Sequence, residues 1–344
     1  MERLRLIMVS ALIAAIPPGG LPISEEVPEP PKLTAESWVL YDVDAGVVLA
    51  SRNADVERPM ASVTKIMTAL VVRDNTELDD SLRITEFAAA TGEAEIGIAP
   101  GELWTVEDLL LAIMVRSGND AAVALAEYVG GSIEGFAEMM NAKAAELGLE
   151  HTHFVNPHGL DAEGHYTTAN DLVVMATALL DDPVLARMAR TRFARFWPDP
   201  AGVERKARTT NKLLGVFPGV IGLKTGYTNR AGLVLVSAFE HGDRTLIGVV
   251  MKSEGHFDDT RELLDWGAHT ITLQDMLLAP LVADQGGGGQ PGSIRFTPRQ
   301  RARLLGVTEL ADGSFALTDP TASGLADRIE TWLRGQLPIT LGGK

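Results

Sequence analysis

Apolar residues recur in two rhythms along the chain. Near-continuous β-type runs occupy Ser37 to Val43 and Val47 to Ser51, joined through Asp44-Ala45-Gly46. A second pair occupies Leu233 to Phe239 and Thr245 to Met251, joined through His241-Gly242-Asp243. Short apolar runs interrupted by Gly and Asp predict two β-hairpins. Between them the rhythm is helical. Thr105 followed by Asp108, and Thr168 followed by Asp171, have capping-box spacing, and a third helix start is legible at Ser62. Strongly apolar helices are expected at Val106 to Val115 and Ala121 to Val129, a strand at Val220 to Tyr227, and a last helix from Leu263 to His269. Strands from both ends of the body around a helical middle predict an α/β (α+β) fold. It would be an antiparallel sheet flanked by helices, with a mostly helical subdomain.

The ends of the chain have a different texture. Arg3 and Arg5 precede an apolar run from Leu6 to Ile16, which stops at Pro17-Pro18-Gly19-Gly20. A run of this length suits the core of a secretory signal, whereas a spanning helix needs about 20 residues; a buried N-terminal helix is the competing reading. The expected division is a signal over residues 1–21, a Pro- and Glu-rich linker over 22–35 and a catalytic-sized body over 36–284. A Gly-rich linker over 285–293 and a small tail over 294–344 follow. In the tail, Leu325, Ile329 and Trp332 fall at helical spacing, so an amphipathic helix there either packs on the protein or touches a membrane surface peripherally. Ser293 to Phe296 and Ser314 to Leu317 are candidate small strands.

Composition narrows the function. The 344 residues carry 30 Lys and Arg against 46 Asp and Glu, a formal charge of −16. Nucleic acid is therefore not an expected partner, because phosphate affinity needs clustered cations. There is no cysteine, which removes thiol nucleophiles and thiolate metal sites together. An exported protein of this size needs no disulfide, so export stays open.

Three short motifs carry candidate chemistry. Ser62-Val63-Thr64-Lys65 puts a hydroxyl and an amine at i and i+3, on one helical face. A hydroxyl needs an adjacent base to become a nucleophile, and a lysine desolvated by an apolar helix can be that base. Alone the pattern is weak, since it arises by chance about once in a chain of this length and also fits a capping serine beside a surface lysine. Ser117-Gly118-Asn119 lies between two helices, where a hydroxyl and an amide can relay a proton and hold a peptide. Lys224-Thr225-Gly226 offers a cation, a hydroxyl and close backbone approach, a natural edge-strand site for a peptide ending in carboxylate. It lacks the spacing of a phosphate loop. His151, His153, His158 and His165 cluster in the sequence, but without a carboxylate at ligand spacing they read as loop histidines, and no metal or cofactor is expected.

Taken in order, the three motifs resemble those of the penicillin-recognising serine enzymes. Ala61-Ser62, Ser117-Gly118-Asn119-Asp120-Ala121, Asn156-Pro157-His158-Gly159-Leu160 and Lys224-Thr225-Gly226-Tyr227-Thr228 narrow the resemblance to the low-molecular-weight D-alanyl-D-alanine carboxypeptidases. It runs from about Ser37 to Ala268. The resemblance implies a β-lactamase/transpeptidase-like fold and an envelope enzyme, periplasmic or extracytoplasmic. Such an enzyme removes the terminal D-alanine from peptidoglycan stem peptides and is acylated by β-lactams. It implies Ser62 as nucleophile, Lys65 as its base, and Ser117 and Asn119 as relay and peptide-holding groups. Lys224, Thr225 and Gly226 would meet the terminal carboxylate, with the backbone N–H groups of Ser62 and Tyr227 as oxyanion hole. Members often carry an arginine about seven residues before the Leu-Leu of the last helix. Here that position is His256, with Arg261 five residues on, and one of the two is expected to substitute. The tail is too short for the family's usual all-β second domain. Two alternatives remain: a serine β-lactamase, which shares the motifs but for which no Glu-x-x-x-Asn loop is visible, and a non-catalytic muropeptide-binding protein.

Overall fold

Five strands meet in one sheet, in the order β2-β1-β9-β8-β7. They are β1 (Ser37–Asp42), β2 (Val47–Arg52), β7 (Val220–Thr228), β8 (Gly232–His241) and β9 (Arg244–Ser253). β1 pairs with β9, β9 with β8 and β8 with β7, each antiparallel. The computed structural model describes residues 29–198, 203–283, 307–309 and 315–317. Residues Pro30–Asp44 and Val48–His269 form one compact unit, to which the following description refers.

The strands read as near-continuous apolar runs because both faces of the sheet are covered. Successive side chains point to opposite faces. Val39, Val236 and Val249, which are register partners across β1, β9 and β8, enter the main core on one face with Val234, Ala238, Ile247 and Met251. On the other face Leu40 and Leu264 close over Gly248, so the first turns of the last helix, α8 (His256–Ala283), lie against β1 and β9 as far as Gly267.

The main core is otherwise helical. The central helix, α1 (Lys65–Asn75), is buried along its whole first two turns, from Lys65 to Val72. It touches α3 (Val106–Val115), α4 (Asn119–Gly130), α5 (Ile133–Glu146) and α6 (Ala169–Asp181), and α6 also packs on β1, β8 and β9. Both capping-box starts are present: the Thr105 hydroxyl accepts from the Asp108 N–H and the Thr168 hydroxyl from that of Asp171. Short elements complete the unit: β3 (Ser81–Arg83) with β4 (Leu103–Thr105), α2 (Glu86–Ala89), α7 (Pro183–Ala189), and a second small hairpin, β5 (Phe193–Phe196) with β6 (Arg205–Arg208).

Two expectations shift. Ser62 does not cap a helix; it lies inside a 3-10 turn, Ala61–Thr64, that leads into α1 without any side-chain cap bond. The last helix starts at His256 rather than Leu263, because Asp258 and Asp259 fill its first turn and favour the N–H-rich end. Separately, β10 (Val307–Glu309) and β11 (Phe315–Leu317) pair antiparallel, the second of them where Ser314 to Leu317 was expected. The expected signal, the Gly-rich linker, the strand at Ser293 to Phe296 and the tail helix lie outside the described residues. Among the described residues no helix is long and apolar enough to cross a membrane.

Candidate active site

The three motifs converge. Lys65, fully buried, donates through Nζ to Ser62 Oγ at 3.1 Å, to Asn119 Oδ1 at 2.8 Å and to the His158 carbonyl at 2.7 Å. Lys224, also fully buried, donates to Ser117 Oγ at 2.8 Å and to the Thr225 carbonyl at 2.9 Å. Burial, the neighbouring Lys224 charge and only partial compensation from Asp120 hold the Lys65 amine well below its ordinary range. Burial alone lowers Lys224 to about 7. Two amines close enough to repel, in a dry pocket, make it easy for one to be neutral and to accept a proton.

The backbone around these groups is bent to present them. Six non-glycine residues among those described have positive φ, and four of them, Ala61, Glu93, Ser117 and Leu223, are in or beside the motifs. Such conformations cost about 1–3 kcal/mol each and persist only where the surroundings enforce them. At Ala61 the enforcement is visible. Its carbonyl accepts from the Thr64 hydroxyl at 2.8 Å, and Thr64 Oγ1 lies 2.8 Å from His165 Nε2. Because Thr64 spends its proton on Ala61, His165 must donate through Nε2; its Nδ1 accepts from the Val155 N–H at 3.0 Å. Burial, with the His153 charge, lowers His165 to about 4, so the ring stays neutral in this role. From above, Gly159, at φ 91°, leaves no room: a Cβ there would lie 1.9 Å from the Ala61 oxygen.

The second motif is tied down by its own loop. Asn119 donates from its side chain to the Gly92 carbonyl at 2.9 Å and from its backbone to Ala94. The buried Asp120 carboxylate is occupied by the N–H groups of Ile96, Gly97 and Ile98. On the third motif, Gly226 brings β7 against the Ser62 turn, where a Cβ would lie 3.0 Å from the Ser62 nitrogen. The Thr225 hydroxyl meets that of Thr210 at 2.7 Å.

A family model for D-alanyl-D-alanine carboxypeptidases matches residues 24–255. The chain belongs to this family of serine peptidases. The carboxypeptidase DacF of Bacillus subtilis is 39% identical over 221 residues, which are 63% of this chain and 57% of that protein. DacB2 of Mycobacterium tuberculosis is 38% identical over 260 residues, 73% of this chain and 86% of that one. The DD-transpeptidase of Streptomyces K15 superposes with a TM-score of 0.67 at 30% identity, covering 70% of this chain and 99% of that one. Its fold is the β-lactamase-like fold of the penicillin-binding proteins, as the sheet and helical subdomain here also show.

Within the family's motifs, the side chains of Ser62, Lys65, Ser117, Asn119, Lys224 and Thr225 are held by one another or by adjoining segments. Tyr227 is different: its ring is 62% exposed, its hydroxyl donates to Asn229 Oδ1, and it lines an open cleft of about 520 Å³ with Glu93, Leu160, Asp161, Thr228 and Asn229. His256 opens α8, half-buried against the Phe257 ring, with Lys212 and Asp259 as its charged neighbours. It makes no hydrogen bond to Lys224 or Thr225 among the described residues. Sequence reasoning passed over the His158 carbonyl, the His165–Thr64 link and Thr210, and named Asp120 without a role. The first leaves no trace in side-chain identity; the buried histidines were visible, but not their partners.

Proposed function

We propose that this carboxypeptidase-family member releases the terminal D-alanine from peptidoglycan stem pentapeptides through an acyl-enzyme on Ser62. One observation carries the reading: a fully buried, charge-depleted lysine amine 3.1 Å from a serine hydroxyl. Neutral Lys65 takes the Ser62 proton as Oγ attacks the carbonyl of the penultimate residue. The oxyanion falls to the backbone N–H groups of Ser62 and Tyr227. The C–N bond then breaks, and the proton taken from Ser62 passes from Lys65 through Ser117 to the departing D-alanine amine, which leaves Lys65 neutral again. Water attacks the ester as Lys65 takes its proton, and when the acyl–oxygen bond breaks Lys65 returns that proton to Ser62 Oγ and the shortened peptide leaves. Lys224 and Thr225 hold the terminal carboxylate. That negative charge raises the Lys224 pKa on binding, so the amine is cationic when it is needed.

Penicillin, offering a carbonyl and a carboxylate in similar relation, acylates the same oxygen. The β-lactamase alternative needs rapid deacylation, which the commonest class drives with a well-placed carboxylate. Among the described residues none hydrogen-bonds to Ser62 or Lys65, and Asp120 is spent on backbone N–H groups. The intact nucleophile and base weigh against a purely muropeptide-binding role. Export through the N-terminal signal, an extracytoplasmic location and a catalytic domain over residues 36–284 belong to the same proposal. Ser62→Ala should abolish both D-alanine release from an acylated Lys-D-Ala-D-Ala peptide and covalent labelling by a fluorescent penicillin. Labelling that survives would overturn the nucleophile assignment.

A further inference from the structure

The β5–β6 hairpin carries chemistry that the acyl-transfer steps do not use. Its inner side is anchored: Ala194, Phe196 and Ala207 are buried in the main core, and Phe196 meets Trp104 with ring centroids 5.5 Å apart. Arg205 adds two fixed bonds, to the Glu102 carboxylate at 2.6 Å and to the Gly97 carbonyl at 2.9 Å. Strand alternation then sends Phe193, Arg195, Lys206 and Arg208 outward, with Phe193 opposite Arg208 and Arg195 opposite Lys206. Phe193 is 62% exposed, Trp197 61% and Val203 57%, and Val216 follows Gly215, on which Arg192 packs.

Exposed rings on a rigid base are not the wear of an ordinary surface. The guanidinium groups of Arg192 and Arg208 lie 5.9 and 5.5 Å from the Phe193 ring centre, within cation–π range. Among the described residues no carboxylate pairs with either. Glu204 is shared between Arg195 and Lys206. The face is therefore cationic and aromatic on a chain of net charge −16. It also leads into the site. β6 ends at Arg208, the Thr209 N–H returns to the Arg192 carbonyl, and Thr210 meets Thr225 on the substrate strand.

We propose that this face is a second binding site for polymeric substrate, taking a glycan strand whose attached peptides end in carboxylate. Flat rings suit the C–H faces of sugars, and guanidinium groups suit carboxylates in paired hydrogen bonds. A lipid surface fits less well, because burying Phe193 in hydrocarbon would carry two guanidinium groups with it. The inference rests on the carboxypeptidase reading for the identity of the polymer, and the strand continuity supplies the direction in which it runs.

The test compares the full chain with Phe193→Ser/Trp197→Ser and with Arg192→Ser/Arg208→Ser. Turnover of a short acylated D-Ala-D-Ala peptide and penicillin labelling are the internal reference. Both variants should bind purified peptidoglycan about tenfold more weakly in co-sedimentation, and their apparent KM for D-alanine release from it should rise about tenfold. Their short-peptide kcat/KM should remain within twofold of the parent. In the arginine variant the salt dependence of sedimentation should also flatten. Equal sedimentation of all three proteins would overturn the proposal, as would a loss seen only with phosphatidylglycerol vesicles. A parent that binds peptidoglycan through this face but releases no D-alanine from the short peptide would instead overturn the carboxypeptidase reading, leaving the surface supported.

Discussion

The protein buries charge in two places and treats it in opposite ways. Asp42 on β1 and Arg244 at the start of β9 are both buried, and two guanidinium nitrogens, Nε and an Nη, meet the same carboxylate oxygen. Lys65 and Lys224 are equally buried, yet their hydrogen-bond acceptors are hydroxyls, an amide and carbonyls. A neutralised pair holds the protein together, whereas an under-compensated cation holds a proton loosely. Burial alone is therefore no sign of function; burial without a countercharge is.

The contrast can be broken most severely at Lys65. Lys65→Ala should slow penicillin acylation about 10³-fold at pH 7, with partial recovery at high pH, where solvent base can replace the amine. A stopped-flow labelling series across pH would measure it. At the paired site the effect should fall on stability. Asp42→Ala leaves a buried guanidinium without its carboxylate and should cost about 3–5 kcal/mol in urea unfolding, while acylation per folded molecule stays unchanged. A slower acylation in that variant would erase the distinction between the two sites.

Lys224 sharpens the comparison further, because its charge should be a burden to the fold. Its pKa is about 7 in the native state against 10.5 ordinarily. Between those values the unfolded chain holds a proton that the native state lacks, so the lysine's contribution to stability improves as pH rises, by up to about 1.4 kcal/mol per unit. The penalty is full below pH 7 and gone above the unfolded value. Lys224→Met should thus be more stable than the parent at pH 7, with an advantage that shrinks towards pH 10, and should lose about 100-fold in kcat/KM for a carboxylate-ended peptide. Unfolding curves at several pH values test the first half, peptide kinetics the second. The smallest effect is expected at His165. His165→Ala should slow acylation about tenfold, and His165→Gln should restore most of it, since an amide can both donate to Thr64 and accept from Val155. A pH-independent loss above pH 5 fits its value of about 4.

What could be read in the sequence was whatever is written locally. The sheet strands, the capped starts at Thr105 and Thr168 and the three motifs each occupy a short continuous stretch, and their side chains announce them. The β5–β6 hairpin did not announce itself, because each strand has only four residues and the exposed Phe193 and the inward-facing Arg205 break the alternation that marks a half-buried strand. Nor could spacing show that Thr64 reaches His165, or that Lys65 leans on the His158 carbonyl, since those pairs are made by the fold. Ser62 was legible as a helix start but not as an uncapped 3-10 turn, a difference that depends on the positive φ of Ala61.

Gly159 also sets limits on how this protein can vary under selection. With 1.9 Å between a hypothetical Cβ and the Ala61 oxygen, every single substitution there displaces the turn that carries Ser62. A lineage pressed by an acylating inhibitor has no gradual path through that position. Its freedom lies instead at the cleft rim, where Glu93 and Tyr227 face solvent and can change without moving Ser62.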